Sequence, residues 1–259
     1  MKSEMPVKYW KNMPEARLIP ELIAGADRAA REMQEKMPSP GHHRTERIVK
    51  RLPLTPEAEQ SDELPETIAG ARKAASTCTR CDLHKFATQT VFGEGPSSAE
   101  VMFVGEQPGD KEDLAGKPFI GPAGRLLDEL LQEAGIDRGR YYVTNAVKHF
   151  KFVPRGKRRL HQRPNAHEIE RCKWWLDIER DLIRPRMIVA MGATAAQAVT
   201  GSGQGILKRR GKVELLADET PVFITIHPSA VLRSGDDAAR EAARADFLKD
   251  LRALARHLR

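Results

Sequence analysis

The chain is expected to fold as an α/β protein: three layers, α/β/α, around a central four-stranded parallel sheet, with an N-terminal helical extension. Three observations predict this. Short apolar runs alternate with longer segments of helical periodicity from about residue 66 onward. That alternation is the signature of a parallel sheet covered by helices on both faces. And 259 residues at 40% apolar content suffice for one large domain with a true core plus an appendage.

Residues 1–65 read as the N-terminal helical extension and linker, and residues 66–259 as the main domain. A helical pattern spans roughly Glu15 to Glu35, with Ile19, Leu22, Ile23 and Ala26 on one face and Pro20 marking its first turn. Pro38-Ser39-Pro40-Gly41 and the polar stretch through Pro65 read as linker, with His42 and His43 solvated. A helix over Glu66–Ser76 leads into Cys78-Thr79-Arg80-Cys81. The alternation then runs strand Val101–Val104, helix Ala123–Ala134, strand Tyr141–Val147, helix Asn165–Leu182 and strand Met187–Met191. It continues with helix Ala193–Thr200, strand Val222–Ile226 and a last helix over Asp236–His257. Lys212–Leu216 fits a short edge strand.

The net charge is +7 and the pI near 9.4, a balance that suits a polyanionic partner. The three cysteines are an odd count, and no signal peptide or membrane-length apolar run is present. These features point to a cytoplasmic protein whose cysteines are free or bind metal, not to a disulfide scaffold.

Parallel strands point one way, so the loops leaving their C-terminal ends share one edge of the sheet. Three polar segments qualify: Glu106–Asp113, Asn145–His161 and His227–Arg233. They are expected to form one mouth. The first is acidic and lacks the lysine pattern of a phosphate-cradling loop. Phe119 lies just beyond it, between Pro118 and Gly121-Pro122, where little regular structure is expected to pack it. Asn145 ends a strand with a donor and an acceptor side by side. Lys151–Arg163 carries six Lys or Arg and no acidic residue, a composition suited to phosphates or simply to solvent.

The run GEQPGDKEDLAGKPFIGPAGRLLDELL resembles the first motif of the family 4 uracil-DNA glycosylases. GEQPG, with Gln107 where a small residue is usual, and KRRLHQRP, Lys157–Pro164, resemble the UdgX group of that superfamily instead. His227-Pro228-Ser229-Ala230-Val231-Leu232-Arg233 resembles the second motif. The likeness runs from about Ala74 to the C-terminus. Upstream, YWKNMPEARLIPELI is similar to the tail of a domain found ahead of UdgX-type proteins, which implies that the chain begins inside a truncated module.

The resemblance implies a DNA-repair enzyme that flips uracil out of DNA, single strands preferred, and cleaves its bond to deoxyribose. It implies Phe119, Asn145, Gln107 and His227 around the base, and Glu106, Gln107, Asp110, His161 and His227 in the chemistry. Lys157, Arg158, Arg159, Arg163, Ser229 and Arg233 would hold DNA. In the UdgX group the loop histidine, here His161, attacks the sugar and stays attached; Glu106 is expected to accept its Nδ1–H and leave Nε2 to attack. Ordinary multiple turnover and non-catalytic binding of uracil-containing DNA are the competing readings. A monomer with no membrane association is expected.

The resemblance also implies a structural 4Fe–4S cluster. Cys78, Cys81 and Cys172 supply three ligands, and His149 stands where family 4 has a fourth cysteine. Zinc on the same Cys3His set is the chemical competitor.

Overall fold

A computed structural model describes residues 64–258. The helical pattern over Glu15–Glu35, the Pro38–Gly41 segment, His42 and His43 lie outside the described residues.

The first helix, α1 (Ile68–Ala75), is capped by Thr67, whose hydroxyl accepts from Gly70 N. Strand β1 (Val101–Gly105) follows, then α2 (Asp110–Ala115), α3 (Pro122–Glu133) and β2 (Tyr141–Asn145). A hairpin, β3 (Phe152–Arg155) and β4 (Arg158–His161), precedes α4 (Ala166–Ile183). The chain continues through β5 (Met187–Met191), α5 (Ala193–Thr200), α6 (Ile206–Arg209), β6 (Lys212–Leu215) and β7 (Pro221–Thr225). It ends in α7 (Pro228–Leu232) and α8 (Asp237–His257).

The main sheet runs β2-β1-β5-β7-β6. Its first four strands are parallel, as the alternation predicts, and β6 adds an antiparallel fifth at the edge. Strands β1, β2 and β5 are buried along their whole length, because helices cover both faces; this is why β1 and β5 read as unbroken apolar runs. One face packs Met102, Val104, Tyr142 and Ile188 against α1, α4 and α5; the other packs Phe103, Val143, Val189 and Phe223 against α3 and α8.

Strand order reverses between β1 and β5, since β1 leads outward to β2 and the chain then returns to the other side of β1. Ligand crevices in open α/β sheets form at such a point, beyond the strands' C-terminal ends. Gly105 and Asn145 stand side by side as the last pair of β1 and β2.

Two expected loops hold regular structure. The acidic segment winds into α2. The basic segment, expected as an open loop, is the β3–β4 hairpin with Phe152 opposite His161. Its high charge hides a period-two pattern in which only one face is packed.

Candidate active site

The site is built around a glycine. A Cβ placed on Gly105 would lie 2.4 Å from Asn145 Oδ1, 2.7 Å from Phe119 Cζ and 3.2 Å from His227 Nε2. Three side chains, one from the end of β2 and two from separate loops, therefore converge over one spot at the sheet edge. Asn145 is buried, and its Oδ1 has no hydrogen-bond partner. An unpaired buried carbonyl costs about 1–3 kcal/mol, which a ligand N–H would recover.

Phe119 reaches the site through an unusual backbone. Its φ is 58°, a left-handed value that costs a non-glycine residue about 1–3 kcal/mol. The surrounding loop enforces it. Glu112 Oε1 accepts from Gly121 N at 2.6 Å, and Gly124 lies so close beneath the turn that a Cβ there would sit 1.6 Å from Phe119 O. The turn directs the Phe119 ring toward His227, with ring centroids 6.1 Å apart and planes inclined by 30°.

His227 caps α7. Its Nδ1 accepts from Ser229 N at 3.2 Å and lies 2.7 Å from Ser229 Oγ. A backbone N–H can only donate, so Nδ1 is the bare nitrogen and the neutral ring carries its proton on Nε2, facing the pocket. Burial, with Arg233 and His161 nearby, pushes the His227 pKa down to about 4. The ring is thus a neutral donor at pH 7. Its unfolded counterpart titrates near 6.5, so as pH falls the unfolded chain takes the proton first. The resulting stability is fully present above pH 6.5 and declines toward about pH 4. In thermal melts, His227→Gln is expected to flatten part of the wild-type loss of Tm across that window.

His161 closes β4 with its side chain 48% exposed and its Nε2 3.3 Å from Glu106 Oε1. Glu106 leaves β1 at the reversal point, and its Oε2 accepts from Thr194 Oγ1 at 2.7 Å. Burial and Arg233 lower the His161 pKa, while Glu106 opposes them. The ring nitrogen facing Glu106 is Nε2, not the expected Nδ1, because β4 brings His161 in along its Nε2 edge.

Four residues expected to act on the base, in the chemistry or on DNA, Gln107, Asp110, Arg159 and Ser229, have internal partners. Gln107 is buried; its Nε2 donates to Lys151 O (3.1 Å) and Gln162 O (2.9 Å), and its Oε1 accepts from Lys151 N (3.0 Å). That amide stitches both ends of the hairpin stem together. Arg159 pairs with Asp110 at 2.6 Å and Asp113 at 2.5 Å, and covers the Phe150 and Phe152 rings. Its charge is met within the protein by two carboxylates, so Arg159 clamps the hairpin down. Ser229 holds the His227 ring. Lys157 and Arg158 are exposed near the hairpin tip, and Arg163 is exposed with its Nε 3.2 Å from Thr194 Oγ1.

Cys78, Cys81 and Cys172 are buried and unbridged. Two of the sulfurs already receive N–H donors: Trp175 Nε1 donates to Cys78 Sγ at 3.0 Å and Lys148 N to Cys172 Sγ at 3.1 Å. Burial raises the Cys81 thiol and pushes Cys172 up to about 12. Buried His149 has its pKa pushed down to about 4 by burial and by His84; its Nε2 meets Thr90 Oγ1 at 2.9 Å and its Nδ1 has no hydrogen-bond partner. Donors aimed at sulfur and an orphaned imidazole nitrogen suit thiolate and imidazole ligation. Among the described residues, no three His, Cys, Asp or Glu side chains gather as a ready single-ion site.

A buried ion pair beneath the site escaped sequence reasoning. Lys148 Nζ lies 2.5 Å from Glu179 Oε2, and both side chains are wholly buried. Nζ also donates to Asn145 O and Thr144 Oγ1, each at 2.7 Å. Glu179 accepts in addition from Tyr142 OH, Thr144 Oγ1 and Gly93 N. The pair thus braces the backbone that carries Asn145. The signal in the chain was a lysine just after the apolar Ala146-Val147. Thr194 and Gly105 were also missed as site residues.

Residues 92–252 match the family model of the uracil DNA glycosylase superfamily. The chain is 38% identical over 189 residues to the type-4 uracil-DNA glycosylase of Thermotoga maritima, covering 73% of this chain and 93% of that protein. It is 37% identical over 181 residues to the type-4 enzyme of Pyrobaculum aerophilum, covering 67% and 86%. With the type-4 enzyme of Archaeoglobus fulgidus it shares 38% identity over 180 residues, covering 67% and 86%.

Proposed function

The chain belongs to the uracil DNA glycosylase superfamily, and on that premise we propose that it excises uracil from DNA and then remains joined to the abasic sugar through His161. The observation that carries the first part is the convergence of Asn145 Oδ1, Phe119 and the His227 Nε2–H over Gly105. A flipped uracil fits this set. Its N3–H meets the unpaired Oδ1, its ring lies against Phe119, and His227 donates to a uracil oxygen as charge gathers on the leaving base. Cytosine, with no N3–H, leaves Oδ1 unsatisfied.

The second part rests on His161, exposed beside this pocket on a hairpin anchored to Glu106, to Gln107 and, through Arg159, to Asp110 and Asp113. The glycosidic bond breaks with its electron pair leaving on uracil. An unprotonated imidazole nitrogen of His161 bonds to C1′, and the ring then gives up its remaining N–H proton. In the geometry observed Glu106 faces Nε2 and receives that proton, so Nδ1 carries the attacking lone pair. The C–N bond formed has no good leaving group, so the reaction stops after one event. Similarity to type-4 glycosylases favours a second reading, ordinary multiple turnover, with the hairpin only gripping DNA.

Gly105→Ala tests the pocket. Its new methyl would intrude on Asn145 and Phe119, so uracil release is expected to fall about 10²-fold or more. The fold should persist, checked by circular dichroism. An unchanged rate of release would move the base away from Gly105.

Cys78, Cys81, Cys172 and His149 would hold a 4Fe–4S cluster, with the donors on two sulfurs and the free His149 Nδ1 as support. When bound, the cluster supplies a structural cross-link between the turn after α1, helix α4 and the segment after β2. Elemental analysis of the purified protein is expected to find iron with labile sulfide and a brown colour; zinc in a colourless protein would overturn the assignment. The substrate is uracil-containing DNA, single strands preferred, and the acting species a monomer. No helix among the described residues is long and apolar enough to cross a membrane.

A further inference from the structure

The β3–β4 hairpin has two faces. Phe152 stands opposite His161, Val153 opposite Leu160, Pro154 opposite Arg159 and Arg155 opposite Arg158. Because side chains alternate along a strand, Phe152, Pro154, Arg159 and His161 share the inner face. There Arg159 lies over Phe150 and Phe152, and His161 meets Glu106. Val153, Leu160, Arg155 and Arg158 share the outer face.

Two features of that outer face oppose folding. Val153 is 48% and Leu160 37% exposed, an aliphatic rung left in solvent. The next rung sets two exposed arginines directly opposite one another, an arrangement that repels across an antiparallel pair. Neither arginine has an ion-pair partner among the described residues. A single exposed apolar residue is ordinary, and so is a single exposed arginine. An apolar rung beside an unneutralised cationic rung, roughly 7 Å apart along the strand, calls for a partner with the same alternation. A nucleotide has it: an apolar base face and, within that distance, an anionic phosphate. The outer face also lies one residue along β4 from the proposed site: Leu160 is next to His161, and the two side chains take opposite faces of the same strand.

We propose that the outer face of this hairpin holds an unpaired nucleotide flanking the excised uracil, its base against Val153 and Leu160 and its phosphate between Arg155 and Arg158. This rests on the reading of the chain as a uracil-DNA glycosylase and gives it a strand preference. In duplex DNA base faces are stacked away from side chains, so the aliphatic rung finds its partner only on single strands.

Binding of fluorescent oligonucleotides, single-stranded and duplex, tests it over a salt series, each with and without uracil. Val153→Ser/Leu160→Ser is expected to weaken single-strand binding about tenfold and duplex binding less than twofold. Arg155→Ala/Arg158→Ala is expected to reduce the single-strand salt slope by about 0.7 for each phosphate that the variant no longer neutralises. Unaltered single-strand affinity in both variants, or equal losses on both DNA forms, would overturn the proposal; the first result would hand the face to a protein partner. The uracil-free strands read this face without catalysis, so failure of uracil release by the wild type would count against the glycosylase reading alone. All four positions are exposed, and matching melting curves will show that the variants fold.

Discussion

Mixed with a uracil-containing single-stranded oligonucleotide, the purified protein is expected to give one protein–DNA species that survives denaturation, and His161→Ala is expected to abolish it. The expectation follows from placement. His161 is half-exposed, its pKa is lowered by partial burial and Arg233 against the opposing pull of Glu106, and it is held beside Glu106 on a hairpin pinned at three points. An unprotonated imidazole is a competent nucleophile once the base departs. Mass spectrometry should place the added mass on the peptide that contains His161. His161→Ser should behave differently again: the smaller side chain opens room for water, and uracil should be released over many turnovers. Continuous release by the wild type with no adduct would establish the ordinary type-4 course. A wholly inert His161→Ser would mean that His161 does something other than trap the sugar.

Lys148→Met is expected to cost about 3–5 kcal/mol of stability, because it leaves Glu179 charged and buried without its cation. For a domain of this size that corresponds to a Tm lower by about 6–20 °C. Lys148→Met/Glu179→Leu should recover much of the loss, since a buried pair exchanged for apolar groups is often close to neutral. Recovery of stability should not restore activity. Asn145 O would still lack its Nζ donor, and Asn145 would be free to shift relative to Phe119 and His227. Thermal melts and uracil release on the single and double variants check both halves. Equal recovery of stability and activity would show that Lys148 only supports the core.

The parallel strands β1, β5 and β7 were legible because burial on both faces makes them mostly apolar runs, and β2 by its Tyr141-Tyr142-Val143 start. Their direction alone places Glu106, Asn145 and His227 at one edge, whatever the family. Strand ends were less legible: β2 stops at Asn145, not Val147, where the chain leaves its partner β1. The hairpin was illegible because its outer face is charged and its inner face packs on residues distant in the chain. Gln107 and Arg159 read as reactive or DNA-facing groups; their partners, Lys151, Gln162, Asp110 and Asp113, are set by how the hairpin docks.

Hydrophobic periodicity records which side of each element is dry, and this sufficed for the α/β class and the shared mouth; the roles of Phe119, Asn145, His161 and His227 came with the family resemblance. Only the tertiary structure decided which polar groups meet: the Lys148–Glu179 pair under Asn145, the bare Nδ1 of His227, the Nε2 edge of His161 toward Glu106, and Gly105 as the floor. The physical reason is range. Burial patterns repeat every two to four residues along the chain, whereas hydrogen bonds and ion pairs form within about 3 Å between segments that only the folded sheet brings together.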